Sequence, residues 1–135
     1  MMGIEDRHMD VLQNIEFAIV STYRKHSRMT DYEVMRTLEA VIDSYKAETL
    51  GRAPREISPC EMETDLCAAV RDMCQWRLGR GLAPGKDDQH RMPEPQPVKV
   101  DEIILCLKKI LNSVKKWNKS GGRTGYLDFI VQYVR

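Results

Sequence analysis

Thr30-Asp-Tyr-Glu-Val-Met-Arg-Thr-Leu-Glu-Ala-Val-Ile-Asp-Ser-Tyr45 is the stretch that decides the fold of this 135-residue chain. Thr30 and Glu33 form the Ser/Thr-x-x-Glu pattern, in which two side chains reciprocally satisfy the exposed backbone donors of a helix start. Val34, Leu38, Val41, Ile42 and Tyr45 then recur on one face at helical spacing, and Gly51 supplies a natural stop. That apolar stripe needs partners, and four further segments of helical period supply them.

Upstream, Val11, Leu12, Ile15, Ala18, Ile19, Thr22 and Tyr23 share one face of a helix over about Asp6–His26. Only Ser27–Met29 separate it from the second helix, which predicts antiparallel neighbours. Downstream, Ser58-Pro-Cys-Glu61 combines an N-cap, a proline at the first helical position and a matching glutamate. From Met62 to Leu78 the apolar residues, Cys67, Cys74 and Trp76 among them, cover about half the circumference of this third helix. So wide an arc predicts a central helix packed on two sides. Glu63 and Arg77 fall within it and mark its rim or a gap between neighbours.

A fourth helix over about Lys99–Asn118 aligns Val100, Ile103, Ile104, Leu107, Ile110, Leu111, Val114 and Trp117, which places Trp117 in the core. Asp101 and Glu102 begin it and lysines end it, matching the helix dipole at both ends. In the last segment, Tyr126–Val134, Leu127, Ile130, Val131 and Val134 have helical spacing; its β-branched and aromatic content leaves a strand open. Between helices three and four, residues 79–97 hold Pro84, Pro93, Pro95, Pro97 and three glycines without periodicity, which reads as a mobile crossover loop. The expected fold is all-α: one domain over residues 1–135, a bundle of four principal helices plus a short C-terminal helix. Helices three and four are expected to supply most of the core.

Composition narrows the function without naming it. An apolar fraction of 42% and a charged fraction of 30% describe a globular rather than a disordered chain. No run approaches the roughly 20 apolar residues of a membrane-spanning helix. Acids near the N-terminus replace the apolar run of a signal peptide, so the expected location is cytoplasmic. Cys60, Cys67 and Cys74 recur every seven residues and lie about 10 Å apart along one helix, too far to form disulfides with one another. With Cys106 they read as reduced thiols that pack as small hydrophobes, and no metal or cofactor is expected.

Catalytic patterns are absent. Glu61, Asp65 and Asp72 share one side of helix three, opposite its apolar arc, and read as solvated. The Glu-x-x-His pairs of bundle di-iron sites and the paired Glu-x-x-Glu of helical nucleotide pyrophosphatases do not occur. His8 and His90 fall in expected ends or loop, and His26 continues an apolar face as a core or capping residue. No nucleophile stands at recognisable spacing from any of them. A helix-turn-helix beginning at Thr30 is opposed by the unbroken stripe from Val34 to Tyr45. An enzyme is therefore not the expected class.

Two features point to binding. Residues 1–102 carry 14 basic and 19 acidic side chains, whereas Ile103–Leu127 carries six cations and no acid. Lys115, Lys116, Lys119 and Arg123, beside a glycine-rich turn flanked by Trp117 and Tyr126, form a candidate phosphate or nucleic-acid site. Lysines at a helix C-terminus explain the same residues structurally, and Lys-Ser-Gly-Gly-Arg-Thr-Gly fails the phosphate-loop pattern. The second feature is on helix one, where Phe17 and Val20 lie away from the main stripe with Met9 near the same side. They form either a second buried face or a partner surface, and the commonest partner for such a patch is a second copy. The leading expectation is a non-catalytic protein-interaction module that forms a homodimer through Phe17 and Val20. The alternative is a nucleic-acid or phosphate binder using residues 108–126.

Overall fold

The computed structural model describes residues 4–52, 61–81, 96–119 and 125–133. It holds an all-α bundle: α1 (Ile4–Lys25), α2 (Asp31–Leu50), α3 (Glu61–Arg77), α4 (Val100–Lys119) and the short α5 (Gly125–Ile130). No strand occurs among the described residues, so the last segment is helical, closing in a turn at Val131–Tyr133.

Local chemistry sets the helix ends. Glu33 N–H donates to Thr30 Oγ1 while Thr30 N–H donates to Glu33 Oε2, the reciprocal cap expected from the sequence. Gly51 closes α2 with φ 69°, its N–H bonded to Glu48 O and the Arg52 N–H to Ala47 O. Gly79 closes α3 the same way, with Gly79 N–H on Trp76 O and Arg80 N–H on Gln75 O. Both are Schellman endings, which need a residue that tolerates positive φ. At the start of α4, Lys99 N–H donates to Glu102 Oε2 at 2.8 Å. The Ser58–Glu61 cap, Cys60 and the loop residues 82–95 lie outside the described residues. The loop's two flanks do meet, because Val98 N–H donates to Arg77 O at 2.9 Å.

Cross-helix partners give the topology. His26 Nε2 lies 2.7 Å from Asp65 and Arg77 bonds Asn14, so α1 and α3 run antiparallel. Gln75 donates to the Tyr45 hydroxyl and Arg80 to Glu48, which places the C-terminal ends of α2 and α3 together. Tyr126 N–H reaches Asp31, and Tyr23 O–H reaches Asp128, so α5 covers the end where α1 finishes and α2 begins. Around the bundle the order is α1, α3, α2, α4; α1 barely touches α2, and α3 barely touches α4. The expectation that α1 and α2 are packed neighbours is thus corrected. At interaxial distances of 8–10 Å a bundle diagonal is about 13 Å, within reach of the six peptide steps from Lys25 to Asp31. Loop length alone does not choose between an edge and a diagonal.

The core is shared among all four long helices rather than concentrated in α3 and α4. Val11, Ile15, Ile19 and Val20 of α1, Val34, Leu38 and Val41 of α2, Leu66, Val70 and Cys74 of α3, and Ile103, Leu107, Ile110 and Val114 of α4 belong to one buried cluster. α3 packs on two neighbours as its wide arc predicts, but every long helix in this square does the same, so it is not uniquely central.

Candidate interaction surface

α5 organises the α5 end of the bundle. Tyr126, Leu127 and Ile130 turn inward and are buried. The Asp31 carboxylate, itself without exposed surface, accepts the Tyr126 N–H at 2.9 Å and the Leu127 N–H at 3.2 Å. The Tyr126 hydroxyl bonds Glu16 of α1. Burial raises both carboxyls above the usual range, opposed at Asp31 by the two backbone donors and at Glu16 by the tyrosine hydroxyl. Burial, with Glu16 and Asp31 nearby, also lifts the Tyr126 phenol well above its ordinary value.

This seat turns Phe129 and Tyr133 outward. The Phe129 ring stands 5.0 Å from that of Trp117 and 4.8 Å from that of Tyr133. Phe129, Ile130 and Tyr133 line one side of a groove whose other side is Met9, Gln13, Asn14, Glu16 and Phe17. Phe17 is 43% exposed and Tyr133 71% exposed, with Met9, Phe129 and Trp117 also at the surface. One aromatic strip therefore crosses from α1 over α5 to the end of α4. Single exposed apolar residues are ordinary, but a contiguous strip of this kind is not.

Of the two residues expected to form the surface, the structure leaves only Phe17 on it. Val20 is 0% exposed and belongs to the core, because α3, α4 and α5 enclose α1 on more than one side. Trp117 is corrected in the opposite sense: it sits at the rim of the bundle, stacked on Phe129, rather than in the core. Phe129 and Tyr133 were missed by the sequence reading, although their four-residue spacing, off the Leu127–Ile130 face, is the signal of a second stripe. Asp31 was missed as well. Nothing local marks it, because its partners lie 95 and 96 residues away.

Lys108, Lys109, Lys115 and Lys116 are exposed, and the 100° step places them within about 120° of one another around α4. The Lys119 side chain and Arg123 lie outside the described residues. Asp65 and Asp72 are exposed, and His26 bonds Asp65. Among the described residues no three His, Cys, Asp or Glu side chains gather as a metal site would require.

At the opposite end, Arg77 is 3% exposed, bonded through Nη1 to Asp10 and to Asn14 Oδ1, while its Nε has no partner. It lies inside the α1–α3 contact rather than on a rim. His8 is half-buried, not exposed, with Nε2 3.5 Å from Glu102. Cys67, Cys74 and Cys106 are free thiols, and burial together with the nearby Cys106 pushes the Cys74 thiol up to about 12. No described helix is long and apolar enough to cross a membrane. Comparison with protein families, curated proteins and solved structures finds no match to this chain.

Proposed function

We propose that this chain is a non-catalytic helical module that self-associates through the aromatic strip centred on Phe17. The observation that carries the reading is the continuity of Phe17, Phe129, Tyr133 and Trp117 across three helices. An aromatic and methionine centre with a polar rim is the composition of protein interfaces. The rim favours a second copy as the occupant. Glu16 flanks the strip on the α1 side, and the exposed Lys116 lies about 100° around α4 from Trp117. A two-fold axis through the strip sets the acid of one copy against the Lys116 of the other. The test is the mass of the protein in solution by light scattering. Wild type as a dimer, with Phe17→Ser monomeric and equally helical, supports the reading; a wild-type monomer at every concentration removes it.

A second reading rests on the lysine arc of α4, whose four cations suit the phosphates of a nucleic-acid backbone. It predicts salt-sensitive binding of a labelled duplex that is lost when Lys109 and Lys116 become glutamine. No binding at low salt would end it.

A further inference from the structure

A helix of six residues does not hold its own shape in water, so the position of α5 comes from what it docks against. The Tyr126 and Leu127 N–H groups lie in its first turn, where a helix supplies no acceptor, and the Asp31 carboxylate takes both. The Tyr126 ring is buried with its hydroxyl on Glu16, and Tyr23 O–H reaches Asp128 at 3.4 Å. A Cβ at Gly125 would stand 3.3 Å from the Trp117 indole, so the chain enters α5 pressed against that ring. From this seat Phe129 and Tyr133 line one groove with Phe17.

We propose that Asp31 is the positioning residue of the association surface, seating α5 so that its aromatic face and Phe17 together receive the second copy. This rests on the self-association reading above. Asp31 has no exposed surface and does not touch the partner; it acts through the place it gives α5. Removing its carboxylate leaves two buried N–H groups without an acceptor and leaves the exposed strip chemically intact.

The experiment is amide hydrogen exchange by mass spectrometry, with solution mass measured on the same samples, for wild type, Asp31→Ala and Tyr126→Phe. Tyr126→Phe removes only the hydroxyl anchor and serves if Asp31→Ala does not fold. The expected result is exchange over residues 126–133 faster by about tenfold or more, α1–α4 retaining their protection, and a shift from dimer to monomer. Faster exchange with an unchanged dimer overturns the link between α5 and the surface. Unchanged exchange in both variants overturns the seating role itself. A monomeric wild type removes the self-association reading and the surface role with it, and the exchange arm still reports separately whether Asp31 holds α5.

Discussion

Replacing Arg77 by methionine and by alanine separates packing from charge at the junction of α1 and α3. Arg77 is buried against Trp76 and bonded to Asp10 and Asn14, yet its Nε has no partner. Its two stem methylenes beyond the β-carbon, at ~0.8 kcal/mol each, put about 1.6 kcal/mol of apolar burial at stake. Methionine keeps a stem of that kind; alanine loses it and leaves a void. Two charge-assisted bonds contribute roughly 1.5–3 kcal/mol each. Desolvating the guanidinium costs several kcal/mol, so the polar account comes close to cancelling. The Asp10 side chain is 45% exposed and returns to water when its partner is removed. The expected outcome is Arg77→Met within about 1 kcal/mol of wild type and Arg77→Ala lower by about 3 kcal/mol. With a urea slope of about 2 kcal/mol/M, the midpoint moves by about 1.5 M for alanine and no more than about 0.5 M for methionine. Equal losses in the two variants would refute the reasoning and show that the ion pair, not the stem, holds α3 on α1.

Other sites make separable predictions. Both Gly51 and Gly79 have positive φ, but a Cβ at Gly51 meets nothing within 4 Å, whereas one at Gly79 comes within 3.0 Å of Pro97. Thermal unfolding should therefore show Gly51→Ala costing about 1 kcal/mol and Gly79→Ala roughly 2 kcal/mol or more; the reverse order would contradict this packing. In a Cys60→Ser background a thiol reagent should modify half-buried Cys67 first and Cys74 last, and equal rates in the native protein would argue against the buried, raised thiol. Asp31 has a raised folded-state value, so the fold favours its neutral form. That contribution is fully present below the ordinary carboxylate range and lost as pH rises through the raised value. The stability of wild type relative to Asp31→Asn should thus improve as pH falls from neutrality into the ordinary carboxylate range, and a difference that stays constant with pH would count against it.

Much of the bundle was legible because its signals are local. The Thr30–Glu33 cap, the glycine after α2 and the stripes of α1, α2 and α4 are encoded within a few residues of where they act. Pairing was not. The diagonal placement of α1 and α2 depends on which stripes fit together across the whole bundle, and a short loop permits either arrangement. Val20 was misplaced for a related reason: a helical wheel shows a second apolar face without showing whether α3, α4 or α5 closes over it. Phe129 and Tyr133 carried a readable four-residue spacing that the stronger inward face of α5 obscured. Asp31 had no readable signal, since its role exists only once residues 95 positions away arrive.

The central claim is tested most directly by sedimentation equilibrium on two double variants that remove similar exposed apolar surface from different places. Phe17→Ser with Phe129→Ser strips the aromatic strip, whereas Tyr32→Ser with Leu50→Ser strips exposed side chains of α2 outside it. The account predicts a monomer for the first pair and a wild-type dimer for the second. A dimer that survives the first pair, or dissociates equally with both, would contradict it.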